Sequence, residues 1–384
     1  METNTVKKRG PAAIFRLCPW AHAIVLLSGC FLALFLLLRQ NTALIRRFSV
    51  SIVQPLHHAL ARLTAALPFS LAEWLYAAVI GGALVYIIYE LASLLRRPAR
   101  LRRLYRLLMR LTALVLGVYA LFCLLWGVYY YGDDFIARSG LEMRAISTEE
   151  LETVTRWFAG QLNTFAPQVT RDEAGLCRTD REVVLARSPR LFRAAAAKYG
   201  FLSGPEAPAK AMFFSRVMSL MDYTGFFCPF TGEANVNMDF PEALFAATVA
   251  HELSHQRGVA KEEEANFVAI LASLDSGDAD FCYSACLMAW IHLGNALHSA
   301  APDAFRAAYG LLEQDVIADL AANNSYWARF ETPIQTVTNT VYEGFLQSYG
   351  QTLGLKSYGA CVDLLVNYYL PEARSCAEPA SPAG

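Results

Sequence analysis

His251-Glu252-Leu253-Ser254-His255 sets two imidazoles four residues apart with a carboxylate between them. On a helix, residues at that spacing share a face, so both rings can reach one metal ion while Glu252 stands beside it. Zinc takes nitrogen and oxygen ligands in tetrahedral geometry, and a catalytic site draws three from the protein and leaves the fourth position to water. Such water has a pKa of about 7. Glu252 is the expected general base, accepting the water's proton and passing it to a leaving amine. Two histidines leave this site one protein ligand short, so a third donor must follow.

Two helices have to position these groups. Pro241 suits the first turn of the first, with Asp239 or Phe240 near the cap and no further proline or glycine through Arg257. Gly258 stands where a left-handed C-cap ends a helix. A second helix is expected from Lys261 to Leu274, before Ser276-Gly277-Asp278. Along it Phe267, Ile270, Leu271 and Leu274 form an apolar stripe, while Glu262, Ala265, Asn266, Ala269 and Ser273 make a small-residue face. Small side chains allow close approach, which would carry Glu262 to the histidines and leave Asn266 one turn behind as a partner to a ligand. Glu264 is the nearest rival for the third position. Glu263 and Glu264 are otherwise expected to project away as a solvated acidic first turn that complements the helix dipole. No histidine stands six residues after His255, where Lys261 is found.

The H-E-x-x-H followed by Glu262-Glu263-Glu264-Ala265-Asn266 resembles the gluzincin arrangement, whose E-x-x-A-[D/N] glutamate is the third zinc ligand. A wider likeness takes in Pro229-Phe230-Thr231-Gly232-Glu233-Ala234-Asn235-Val236-Asn237, the stretch from His251 to Gly258 and the run ending at Phe267. It continues in Val341-Tyr342-Glu343-Gly344-Phe345-Leu346, in Ser357-Tyr358-Gly359 and in the hydrophobic N-terminal third. These segments resemble the bacterial membrane-protein family catalogued as domain of unknown function 3810, over most of the chain. The resemblance implies a membrane-bound zinc peptidase with His251, His255 and Glu262 as ligands and Zn2+ as cofactor. The extra cysteines depart from that pattern.

Composition supports a chain that lives partly in lipid: hydrophobic residues make up 55%, charged residues 17%, and mean hydropathy is +0.29. Three stretches, about 20–38, 71–95 and 107–131, reach the roughly 20 apolar residues that a bilayer crossing needs. Trp74, Tyr86, Trp126 and Tyr129-Tyr130-Tyr131 are expected interfacial anchors, and Glu73 and Glu90 lie near span ends. No cleavage site follows the first stretch, so it is read as a retained span. Lys7, Lys8, Arg9 and Arg16 precede it, and Arg96, Arg97, Arg100, Arg102, Arg103 and Arg106 separate the second and third; both groups belong in the cytoplasm. Arg46, Arg47 and Arg62 weaken that bias. Leu56, Leu60, Leu63 and Leu67 suggest an amphipathic helix lying on the membrane surface. Three crossings then put the zinc motif outside the cytoplasm of a bacterial cell membrane.

The expected fold is mainly α. Three N-terminal transmembrane helices (1–132) precede a mostly helical, zincin-like extracytoplasmic domain with a small β element (133–384). Ser147 and Glu150 read as a capping box for a helix reaching Phe165. Strands are expected at Ala211–Val217 and Ala234–Met238, separated by a loop from Gly225 to Gly232; helices are expected near Asp280–His298, Pro302–Ala321, Thr332–Gln351 and Cys361–Tyr369. The tail after Pro371 reads as mobile. Cys177, Cys228, Cys282, Cys286, Cys361 and Cys376 allow fifteen pairings, although Cys282 and Cys286, one helical turn apart, also suit two buried thiols.

A strand before the metal helix could hold an extended peptide by strand addition, with Asn235 and Asn237 at its rim. The other reading is that these asparagines and Glu233 organise a turn. Tyr342, Tyr358 and Tyr283 are candidate donors to a developing oxyanion. His292 and His298, six apart, do not share a helix face and make no second metal pair. A net charge of -1 argues against nucleic acid as a partner. The expected function is therefore zinc-dependent hydrolysis of a peptide or protein substrate at the membrane, with a catalytically silent zinc-binding membrane protein as the alternative.

Overall fold

The computed structural model describes residues 14–330, 333–349 and 358–377. Helix α1 spans Pro19–Leu38, α2 Gln54–Ala65, α3 Leu71–Arg96 and α4 Arg100–Leu125. Of these, α1, α3 and α4 are long and apolar enough to cross a membrane, and α4 packs against both others. Lys7, Lys8 and Arg9 lie outside the described residues. The third span starts and ends earlier than its hydropathy suggests, because the chain tightens into a 3-10 turn over Gly127–Tyr131. That turn lets Trp126 and Tyr130 bury their rings against Phe227 and Tyr349 rather than anchor in an interface. Helix α2 also departs from expectation. Its His57, Ala61 and Thr64 face is buried against the protein, while Leu56 and Leu63 stay exposed. Its backbone crosses the turn at Gly232, where an added Cβ would come within 2.8 Å of Ala61 N.

Helix α5 covers Thr148–Phe165, and Ser147 and Glu150 form the expected reciprocal capping box. Next come strand β1 (Lys210–Ala211), helix α6 (Ser215–Leu220), and strands β2 (Gly225–Cys228) and β3 (Glu233–Val236). The expected strand over Ala211–Val217 shrinks to two residues because Ser215 opens a helix, and the expected loop from Gly225 contains β2. Sheet order is β1-β3-β2, with β1 parallel and β2 antiparallel to β3; Phe226 pairs opposite Asn235.

Helices α7 (Phe245–Gln256), α8 (Glu262–Ser276) and α9 (Ala279–Ala300) follow. The expected single helix from Pro302 divides into Pro302–Tyr309 and Gln314–Trp327 around Gly310. Helix α10 spans Pro333–Ser348 and α11 Tyr358–Ala377. Helix α11 continues through Pro371, past its expected end and into the segment read as mobile; buried Leu370 and Ala373 hold it to the core. The rest of that tail lies outside the described residues. Helix α8 is central, packed by α7, α9 and α11. Not only Phe267, Ile270 and Leu271 of its apolar stripe but also Val268, Ala269 and Ala272 are fully buried, so its alanines serve close helix packing on several sides.

All nine cysteines are free thiols, seven of them buried, including Cys282 and Cys286. Hydrogen bonds cross the expected division at residue 132. Glu233 accepts from the N–H groups of Leu71 and Ala72 at 3.1 and 2.8 Å, satisfying the first turn of α3. Glu73 reaches back to Phe213 N and Phe214 N at 2.9 and 2.5 Å. Both carboxylates are buried.

Candidate metal centre

The metal helix forms from Ala- and Val-rich sequence that can be buried all round, and it starts later than Pro241 suggests. Pro241 is extended (ψ 138°), a 3-10 turn covers Glu242–Leu244, and α7 proper begins at Phe245. It ends at Gly258, whose φ of +81° is the left-handed conformation that glycine tolerates. The chain reverses there, and α8 opens on Glu262 with Lys261 at its cap.

This reversal brings the two helices' polar groups together. His251 Nε2 lies 3.2 Å and His255 Nε2 3.7 Å from Glu262 Oε2. Ligand atoms of the three residues fall within 4.8 Å of one another, and among the described residues no other His/Cys/Asp/Glu group does so. The far nitrogen of each ring is held: His251 Nδ1 is 2.8 Å from Asn266 Oδ1, and His255 Nδ1 is 2.6 Å from the Val259 carbonyl oxygen. These bonds fix the ring tautomers and aim both Nε2 atoms at one point, as acceptor partners do for ligating histidines. Two imidazoles and a carboxylate with no fourth protein donor suit zinc with one open position. Burial alone disfavours a charged His255, but Glu262 overrides it and raises the imidazole to about 9. Burial likewise opposes the Glu262 carboxylate, and the two histidines still pull it well below its ordinary value. The pocket is thus electrostatically built around a shared positive charge.

Glu252 stands beside this group, 3% exposed, with Oε2 lacking any protein hydrogen-bond partner. Burial raises its carboxyl to about 7, with Glu262 adding to the rise and both histidines opposing it. A residue that the sequence places only at the start of a loop makes room for it. At Gly225, the first residue of β2, an added Cβ would lie 2.5 Å from Glu252 Oε1. Only a glycine fits.

Glu264 does not join the two histidines, nor is it solvated. It is buried, accepts from Phe135 N at 3.0 Å and pairs with Lys261 at 3.3 Å; burial lifts its carboxyl to about 7. Glu263 is largely enclosed too, and burial raises its pKa. The first turn of α8 is therefore an interior acidic turn, because the segment around Phe135 covers it.

Asn235 and Asn237 are fully buried and form no rim. Asn235 accepts from Ser70 Oγ at 2.6 Å and donates to the Phe226 and Glu233 carbonyls. Asn237 donates to Ser219 Oγ and the Tyr223 carbonyl, both at 2.9 Å, and accepts from Asp239 N. Their amides are satisfied inside the protein, and β3, flanked by strands on both sides, offers no edge. The outer strands β1 and β2 are the edges, and β2 is the one that lines the cavity over the centre.

Tyr342 does reach the site, but its hydroxyl donates to Glu262 Oε1 at 2.6 Å, so it orients the carboxylate. Tyr283 lies elsewhere, hydrogen-bonded to Asp319. The side chain of Tyr358 lies outside the described residues. His292 is buried on α9, and burial together with nearby His251 lowers it to about 4.

A cavity of about 460 Å3 opens over His251, Glu252, His255 and Glu262. Gly225, Phe226 and Phe227 of β2 line it on one side. Phe122, Trp126 and Tyr130, from the end of α4 and the turn after it, line another, and the Trp126 ring meets that of His255 edge-on at 5.6 Å. Tyr223 also lines it, with its ring 5.7 Å from that of Tyr342. Tyr223 follows Asp222, a non-glycine residue at φ +65° whose carboxylate accepts from Gln335 and Asn339 of α10. The sequence presents Trp126 and Tyr130 only as interfacial anchors and does not single out Tyr223, because only tertiary packing brings the three here.

No curated protein and no solved structure matches the chain. A family model described as "Protein of unknown function (DUF3810)" matches residues 48–366, from before α2 to within α11 and across every residue of the candidate centre. The chain belongs to the DUF3810 family.

Proposed function

We propose that this protein is a membrane-anchored zinc metallopeptidase of the gluzincin type, with His251, His255 and Glu262 as ligands and Glu252 as general base. The observation that carries the reading is the convergence of two Nε2 atoms, each backed by an acceptor on its Nδ1, on one Glu262 oxygen, with an unpartnered buried carboxylate alongside. Zinc bound there would act as a Lewis acid, polarising the scissile carbonyl and acidifying water. Glu252, with a pKa raised to about 7, is poised to accept a proton at neutral pH and return it to the leaving nitrogen. Edge strand β2 supplies main-chain groups along the cavity, to which an extended peptide can add as a further strand. Tyr130 and Tyr223 bring phenols to the same cavity, within the field of Glu262, as candidate oxyanion donors. The arginines from Arg96 to Arg106, clustered where α3 ends and α4 begins, favour a cytoplasmic position for that end of the hairpin and hence an extracytoplasmic centre.

The test is zinc content and cleavage of a peptide library by the detergent-purified chain beside Glu252→Gln. The variant is expected to keep its zinc and lose about 10²–10⁴-fold in turnover. Zinc without turnover in the wild type would favour the silent metal-binding protein instead.

A further inference from the structure

The cavity lies at the end of the membrane-spanning helices. Its floor residue Trp126 follows α4 directly, and Phe122 is still within that span. The N-terminus of α3, at the same end of the α3–α4 hairpin, is hydrogen-bonded to Glu233 of the central strand. The centre is thus close to where α4 ends, with the Trp126 ring 5.6 Å from that of His255.

Beside the cavity, an exposed apolar surface runs along α6 to Asp222 and Tyr223 of its lining. Phe213 is 76% exposed and Val217 50%, with Phe214, Leu220 and Met221 beside them on and before α6. This patch continues the outer surface of a span. The Trp74 ring, in the first turn of α3, stacks on Phe213 at 6.4 Å and meets Phe214 edge-on at 6.1 Å. On the α10 side, Val341 is 68% exposed, next to Tyr342 of the lining and one turn before Phe345, which also lines the cavity and packs on Phe122 of α4. Large exposed apolar patches mark interaction sites. Here the patch is continuous with helices that need lipid around them, and aromatic residues favour the headgroup layer.

We infer that the mouth of the cavity is set into the bilayer surface by Phe213, Phe214, Val217 and Val341, and that its substrates are membrane-tethered polypeptides presenting bulky apolar side chains to the aromatic floor. The substrate half of this inference rests on the peptidase reading; the immersed rim does not. A tethered chain reaches the mouth by diffusing in the plane of the membrane, at an effective concentration far above that of the same chain in solution.

The experiment uses the full chain in phosphatidylcholine nanodiscs. With the exposed Cys30 and Cys376 replaced by serine, nitroxides are attached through Phe213→Cys, Val217→Cys and Val341→Cys, with Arg306→Cys as an exposed control. The three rim labels are expected to relax with oxygen and be shielded from a water-soluble nickel chelate, and the control to show the reverse. Rim labels as open to nickel as the control overturn the immersed rim. In parallel, one fluorogenic peptide is offered with and without an N-terminal palmitoyl chain, at equal bulk concentration. The acylated form is expected to be cut about 10²-fold faster, through KM rather than kcat. Equal rates overturn the substrate class while leaving the peptidase reading intact. No cleavage of either peptide overturns the peptidase reading and the substrate class with it, and the nitroxide data then decide the rim on their own.

Discussion

Arg171, Tyr283 and Asp319 form one buried polar cluster of the C-terminal part; His251, His255, Glu252 and Glu262 form another. In the first, Asp319 is 2% exposed and meets Arg171 at 3.0 Å, Cys177 N at 2.8 Å and the Tyr283 hydroxyl. Each oxygen of that carboxylate has a donor. In the second, two histidine nitrogens crowd a single carboxylate oxygen, and Glu252 Oε2 has no donor at all, beside a cavity of about 460 Å3. Burying an unsatisfied charge is costly unless something else supplies the partner. A closed cluster holds a fold together; an incomplete one is kept for what it can bind.

The sharpest way to break this contrast is to remove one member from each side. His255→Ala should abolish stoichiometric zinc binding, read by metal analysis, with the fold retained. Asp319→Asn should leave zinc binding untouched and cost about 1–3 kcal/mol of stability, read by thermal unfolding, because it removes the buried carboxylate from Arg171 and leaves exposed Asp315 as its ionic partner. If Asp319→Asn strips the metal as well, the two clusters are not independent. Next in size, Gly225→Ala should displace Glu252 and lower turnover about 10²-fold, the usual cost of misplacing a reacting group by about 1 Å, with zinc retained. Normal turnover would mean that Glu252 does not act from this position.

Asn266→Ala tests the support beneath the open cluster. Losing the acceptor on His251 Nδ1 should weaken zinc about 10–100-fold in a competition titration with a chelator. The smallest effect is in pH. Glu252 is raised from 4.5 to about 7 and His255 from 6.5 to about 9, so the metal-free fold holds these protons more tightly than the unfolded chain does. Its stability should therefore fall as pH rises through 7 and again through 9. Zinc replaces the missing positive charge, so the gap in Tm between zinc-loaded and chelator-treated protein should widen from pH 6 to 9. A gap that narrows would contradict the raised values.

The local parts of this picture were legible in the sequence. The i, i+4 histidines, Gly258, Glu262, Asn266 and the Ser147–Glu150 box are set by helix geometry over a few residues, and each stands where its spacing puts it. What depended on distant packing was not. Strand β2 exists only because β3 pairs with it, so its short Gly-Phe-Phe-Cys run reads as a loop on its own. Glu264 looked solvated because nothing near it in sequence shows that Phe135 will cover it. Tyr129–Tyr131 carried the composition of an interfacial belt, yet a 3-10 turn aims them into the protein. Asn235 and Asn237 had the chemistry of a rim, but they lie on and just beyond a central strand, where amides are used up by their neighbours.

The reciprocal carboxylate contacts between Glu233 and α3, and between Glu73 and the Phe213–Phe214 backbone, bear on how the molecule can be handled. Severing the chain at Gly132 to obtain a water-soluble fragment would leave Glu233 without its two donors, two amide groups without their acceptor, and the centre without Trp126 and Tyr130. Silence from such a fragment would report a ruined scaffold and say nothing of the intact chain, so the helices of membrane-spanning length have to accompany the candidate centre into any assay.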